Sequence, residues 1–202
     1  MLRHHGCVLA VLLSFTSSAS LAQESKLSFL AKPPSFDASG FVVTLDGGNG
    51  TFRESRNSKG VAMARAEVGY DFVWRQFLIA PSLEYLIGGI PKVASDPGVL
   101  KFNSISAAKL KLGWFYENWL LFGSVGWAHA SLSFTDRVTT TRSSSDGMLY
   151  AIGLEYFVEK DLSVNVQISR YNLGDVTVNS LDGWKTMHPS LQIATMGFRY
   201  RF

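Results

Sequence analysis

The chain has 202 residues, 47% hydrophobic and 17% charged, enough for one domain of ordinary size or one small barrel. A formal net charge of +3, from 19 basic and 16 acidic residues, is too small to point to nucleic acid or to an anionic partner. The single cysteine, Cys7, lies near the start, and after the opening segment no run of about 18 apolar residues exists to form a transmembrane helix.

Arg3, His4 and His5 give the chain a weakly basic start, residues 8–15 are apolar, and Ala19, Ser20 and Ala22 are small residues ahead of Gln23. This pattern predicts a secretory signal over residues 1–22, cleaved before Gln23. The apolar stretch is too short for an uncleaved membrane anchor, and no lipobox surrounds Cys7. Cleavage would remove Cys7 and the one charge of Arg3, taking the net charge from +3 to +2. A mature chain without a thiol has no disulfide, no cysteine-ligated zinc and no cysteine nucleophile. Residues 23–38, with Pro33-Pro34, read as an irregular periplasmic lead-in, and residues 39–202 as one domain.

From there the chain alternates residue by residue, with little helical spacing. Eight strands are predicted, over residues 39–46, 61–72, 77–88, 104–116, 120–134, 148–158, 162–173 and 191–202. Most exceed the roughly 5–6 residues usual in globular sheets and approach the roughly 9–11 that cross a bilayer at a tilt. The connections alternate strictly. Those over 47–60, 89–103, 135–147 and 174–190 are long and polar, while those at Trp74-Arg75, Glu117-Asn118 and Glu159-Lys160-Asp161 are tight.

Each strand has two unlike faces. Ala62, Ala64, Ala66, Val68, Tyr70 and Phe72 oppose Arg65, Glu67, Gly69 and Asp71. Ala108, Leu110, Leu112 and Trp114 oppose Lys109, Lys111 and Gly113, and Tyr150, Ile152, Leu154 and Tyr156 oppose Ala151, Gly153 and Glu155. In the last strand Phe198, Tyr200 and Phe202 oppose Arg199 and Arg201. The fifth strand is less clean: Leu121, Gly123, Val125 and Trp127 or the intervening residues could be its outer set. Aromatic residues gather at the short-turn end: Phe72, Trp74, Phe77, Tyr116, Trp119, Tyr156, Phe157, Tyr200 and Phe202. Among them Trp74, Trp119 and Tyr156 mark a girdle at a membrane interface. Only helices and closed barrels satisfy every backbone group in lipid. The fold class is therefore all-β, an eight-stranded antiparallel up-and-down transmembrane barrel with apolar residues toward lipid, charges in the lumen and both ends on the short-turn side. A soluble sandwich with aromatics packed under its turns is the alternative.

With the strands placed, the chain resembles the small outer-membrane β-barrel family of Gram-negative bacteria, the OmpA-like or porin-family barrels, in particular their alpha-proteobacterial surface-antigen branch. Gly153-Leu154-Glu155-Tyr156-Phe157 followed by Leu162-Ser163-Val164 is similar to that branch's penultimate hairpin. Tyr171-Asn172-Leu173-Gly174-Asp175 is similar to the close of its seventh strand, with Asn172 where Asp is usual. Thr195, Gly197, Tyr200 and Phe202 resemble the assembly signal read by the barrel assembly machinery. Gln167 departs from the acid often found at its position. The resemblance implies an integral protein of the outer membrane, tied to envelope integrity and to contact with a host or surface ligand. It also implies porin-like passage for some members and haem binding for others, the only cofactor it suggests.

Three sets of residues are candidates for function. Arg65, Glu67, Asp71, Glu84, Lys109, Lys111, Glu155, Arg199 and Arg201 are predicted inside, five basic and four acidic. In so narrow a barrel they read as a salt-bridged plug, with an ion path as the alternative. His129-Ala130-Ser131 resembles the histidine-x-serine of outer-membrane lipid A deacylases, but of the nearby acids Asp136, Asp146 and Glu155 none has the spacing of that family's acid. His129 is therefore read as an interfacial residue with a polar tip, and no catalytic residue or enzymatic activity is expected. Trp184 and His188 could grip a ligand from an exposed loop. No metal cluster, phosphate loop or nucleic-acid motif is present. The expected role is structural and surface-interacting, with porin-like passage second and lipid A modification a distant third.

Overall fold

The computed structural model describes residues 34, 37–54, 57–88, 92–95, 98–135, 140–180, 183–187 and 189–202. The expected signal segment and nearly all of the lead-in lie outside the described residues, as does His188. Eleven strands follow in chain order: β1 (Gly40–Glu54), β2 (Asn57–Trp74), β3 (Phe77–Gly88), β4 (Lys92–Ser95), β5 (Gly98–Tyr116), β6 (Trp119–Thr135), β7 (Thr140–Phe157), β8 (Leu162–Leu173), β9 (Val176–Ser180), β10 (Gly183–Met187) and β11 (Pro189–Arg201). Eight of them close a barrel in the order β1, β2, β3, β5, β6, β7, β8, β11, with every neighbouring pair antiparallel. The seam pairs Val42 with Arg201 at one end and Glu54 with Pro189 at the other. No helix occurs among the described residues.

Tight turns join the strands at one end. Arg75 (φ 58°) and Glu117 (φ 55°) are the first central residues of two-residue turns and occupy the left-handed region. Positive φ there matches the turn's twist to that of the flanking strands. At the other end the strands run further than alternation predicts. β1 and β2 stay paired as far as Glu54 opposite Asn57, and β6 and β7 as far as Thr135 opposite Thr140. The expected loops over 47–60 and 135–147 are thus mostly continued hairpin. The expected loop 174–190 carries a small hairpin of its own, β9 with β10, and β4 pairs back onto β5 within the expected loop 89–103. Serine- and threonine-rich stretches such as 140–145 keep β pairing because the backbone supplies the ladder whatever the side chains.

The alternation sorts the wall residues. Leu45, Leu83, Ile168 and Phe198 face outward and are exposed, while their neighbours in sequence are buried. β6 resolves in the same way: Leu121, Gly123, Val125 and Trp127 face outward, and Phe122, Ser124 and Ala128 face inward. Phe157 corrects the expected girdle. It is buried in the lumen, tilted against Phe115 with ring centroids 5.6 Å apart.

The interior has three layers. Toward the short turns, Leu78, Ala80, Phe115, Leu120, Phe122 and Phe157 pack with Ala38, so the last described residues before β1 tuck into the barrel mouth. Toward the long hairpins, a second cluster includes Phe52, Met63, Leu86, Ile105, Leu132, Leu149 and Leu191. Most of the charged residues lie between these two apolar layers, and Arg201 reaches the short-turn end, where its Nη1 donates to the Lys160 carbonyl at 3.0 Å.

Candidate functional site: the charged lumen and a polar patch on the wall

Parity delivers the charges to the lumen: β2 contributes Arg65, Glu67 and Asp71, β3 Glu84, β5 Lys109 and Lys111, β7 Glu155, and β11 Arg199 and Arg201, all buried. Sequence reasoning missed Asp46 on β1, which is buried among them. Its signal was available, because Val42, Thr44 and Asp46 alternate with outward Phe41, Val43 and Leu45. With Asp46 the interior holds five acids and five bases among the described residues.

These ten residues form one connected network. Arg65 Nε donates to Asp46 Oδ2 at 2.6 Å, and its Nη1 lies 3.4 Å from Glu84 Oε2. Lys109 Nζ bridges Glu84 at 2.6 Å and Glu67 at 2.8 Å. Arg199 stands at the centre, 2.5 Å from Asp71, 3.7 Å from Glu155 and 4.0 Å from Glu67. Arg201 is a second partner for Asp71 at 3.3 Å, and Lys111 holds Glu155 at 2.9 Å. Neutral donors complete the carboxylates: Tyr171 Oη to Glu84 at 2.5 Å, Ser163 Oγ to Glu155 at 2.6 Å and Asn165 Nδ2 to Asp46 at 3.0 Å. Lys111 Nζ also sits 4.0 Å from the centroid of Phe122, and Arg201 lies over Phe157 at 5.1 Å, tying the charged layer to the aromatics beneath it. Gln167, the departure noted in the sequence, is buried and donates to Ser169 Oγ instead of entering an ion pair.

The terminal strand divides by face. Thr195 and Gly197 point into the lumen, whereas Tyr200 and Phe202 lie outside. A Cβ on Gly197 would collide with the Leu45 carbonyl and the Asp46 carboxylate. Trp74, Trp119 and Tyr156 are exposed on the outer wall near the short turns. Trp119 and Tyr156 pair with ring centroids 4.6 Å apart. The loop candidate Trp184 falls on β10, opposite Asn179, and its partner candidate His188 lies outside the described residues.

On the outer wall the structure corrects one expectation. Asp146, set aside for its spacing, stands directly opposite His129 across the β6–β7 ladder, and Nδ1 of the ring donates to Asp146 Oδ1 at 2.7 Å. Ser131 lies two residues along β6 on the same outward parity.

The family comparisons agree with this architecture. A sequence model described as the outer membrane protein beta-barrel domain matches residues 7–202. No curated protein matched the sequence. Among solved structures the chain is similar to Neisserial surface protein A, with 14% identity, a TM-score of 0.61, and coverage of 81% of this chain and 98% of that one. It is likewise similar to Ail, the attachment invasion locus protein of Yersinia pestis, with 14% identity, a TM-score of 0.55, and coverage of 81% and 99%. At such identities the two likenesses speak for the fold. The chain is an integral protein of the bacterial outer membrane and belongs to the outer membrane protein β-barrel domain family.

Proposed function

We propose that the protein is a non-conducting envelope barrel, closed by its own side chains, that carries surface-interacting hairpins above the membrane. One observation carries this reading: a charge-balanced network of ten buried residues lies mostly between two buried apolar layers. An ion path needs hydrated charges and a continuous polar route, and here each of the ten charged side chains has a protein partner, with an apolar cluster toward either end. An eight-stranded barrel is about the size that its own side chains fill.

The hairpins support the second half of the reading. β5, β6 and β7 have 19, 17 and 18 residues, well beyond the roughly 9–11 needed to cross the bilayer. The excess lies at the end opposite the tight turns, where it forms a stiff wall suited to contact with a host or surface ligand. That Ail is named an attachment protein is consistent with such a role. Thr195, Gly197, Tyr200 and Phe202 are taken as the assembly signal, and no cofactor is part of the reading.

Single-channel recording of the refolded protein in a planar bilayer tests the closed interior. Current is expected to stay at background up to 100 mV on the order of the usual membrane potentials. Reproducible open-channel steps would instead establish porin-like passage.

A further inference from the structure

The His129–Asp146 pair is embedded in a polar grid on the lipid-facing wall. In one row Ser106, His129 and Asp146 are directly paired across β5, β6 and β7; in the next row, further from the short turns, Ser104, Ser131 and Ser144 are paired in the same way. None of these six points into the lumen, and none is fully buried. The row below is Ala108, Trp127 and Met148, where the wall turns apolar. Across β5, β6 and β7 the grid therefore marks the step from apolar to polar wall, the kind of step that suits the level of lipid headgroups and ester bonds.

An interfacial histidine with a polar tip needs none of the details seen here. Asp146 accepts the hydrogen bond from Nδ1–H, which fixes the tautomer and leaves Nε2 as the base; Nε2 has no hydrogen-bond partner among the described residues. Ser131 follows on the same face, about 7 Å along the strand from Cα to Cα, within the combined reach of an imidazole and a hydroxymethyl group. Ser104 and Ser144 flank Ser131 at the spacing of direct cross-strand pairs and offer hydroxyl donors on both sides of it. A groove of about 520 Å³ opens on the wall beside His129. It is floored by small Ala66 and Ala108, walled by Tyr85 and Trp127, and reaches Ser106. Its lining is mostly apolar, and its place on the lipid-facing wall suits an acyl chain rather than a water-soluble ligand.

We infer that Ser131, His129 and Asp146 form an acyl-ester hydrolase site on the outer wall, acting on an ester-linked acyl chain of an outer-leaflet lipid whose tail lies in this groove. Ser131 Oγ attacks the ester carbonyl carbon as its proton passes to His129 Nε2, and the carbonyl electron pair moves onto oxygen toward the flanking hydroxyls. Collapse breaks the bond to the lipid's alcohol, which leaves with the proton from Nε2, and Ser131 is acylated. Water attacks this second ester and gives a proton to Nε2. Collapse returns that proton to Ser131 Oγ and frees the fatty acid. The sum is ester plus water to alcohol plus acid, with no further reactant. The Asp146 carboxylate acts on the site through His129 and is a positioning residue.

The test uses the full chain refolded in detergent, with p-nitrophenyl palmitate as probe and a fluorophosphonate reagent that labels activated serines. Wild type is expected to hydrolyse the probe at least about 100-fold faster than Ser131→Ala or His129→Asn, the scale of a lost general base. Asp146→Asn should lose rate while Asp146→Glu recovers part of it, and the label should map to Ser131 and vanish in His129→Asn. All three positions are on the outer wall, so each of the four variants should keep its folded gel mobility. Fatty acid release from phosphatidylethanolamine vesicles or from lipopolysaccharide would then identify the lipid. Hydrolysis unchanged by Ser131→Ala, or no turnover together with no label on Ser131 in folded wild type, overturns the assignment.

Discussion

Arg199 is the residue on which the interior depends most. It alone contacts three carboxylates, those of Asp71, Glu155 and Glu67, from three directions. Removing one partner of a buried ion pair leaves an uncompensated charge, at about 3–5 kcal/mol. Arg199→Leu should cost at least that much, measured by urea unfolding from lipid vesicles. Arg201→Leu should cost less, about 1.5–3 kcal/mol, the scale of a hydrogen bond to a charged group, because Asp71 keeps Arg199. Equal losses in the two variants would show that the network has no centre. Nine of its ten members were legible in the sequence from strand parity alone. Asp46 was passed over because the expected first strand ended there, with two glycines following, so it looked like the start of a loop. Asp146 was illegible for a different reason. Its relation to His129 is a pairing register across a hairpin, and no spacing along the chain encodes the point at which that hairpin turns.

At the scale of the element, β11 combines two demands on separate faces. Its inner face shapes the lumen and its outer face presents aromatics. Gly197→Val is expected to displace Asp46 from Arg65 and to reduce the folded fraction in refolding assays, since its first added carbon already meets the Asp46 carboxylate. Deleting Phe202 should instead impair assembly more than stability. Its ring is 73% exposed, touching Tyr200 at 4.9 Å and Phe41 at 5.9 Å between centroids, and its N–H bonds to the Phe41 carbonyl. Stability should fall by only about 1 kcal/mol, the worth of one hydrogen bond. The level of protein in the outer membrane should fall several-fold, as read by blotting membrane fractions, if Phe202 belongs to the assembly signal. Normal levels would remove it from that role. The barrel strands themselves were visible wherever a lipid face imposed alternation. Their extensions beyond the membrane were not, because water wets both sides there and leaves no two-residue period to read.

On the scale of the molecule, the outer wall predicts how the protein sits in a bilayer. Trp74 and Trp119 lie near the short turns, and Trp127 lies at the foot of the polar grid near the opposite boundary, all exposed to lipid. Refolding into vesicles should shift tryptophan emission to the blue, and lipids brominated high on the acyl chain should quench it more than those brominated near the methyl end. Trp127→Phe should lessen quenching only from the leaflet on the long-hairpin side; loss from both leaflets would place the grid at the wrong depth. The seam between β1 and β11 has one more consequence, for the order of events in folding. It joins residue 42 to residue 201, and every other barrel pairing can form without it. Until it closes, two strands present open edges with unmatched N–H and C=O groups, which a hydrocarbon environment does not tolerate. Contacts between such distant segments are slow to find. The chain should therefore linger as an open, adhesive sheet and commit to the bilayer in a single late step, so that lipid or a catalyst, rather than the sequence's local preferences, governs how fast the protein matures.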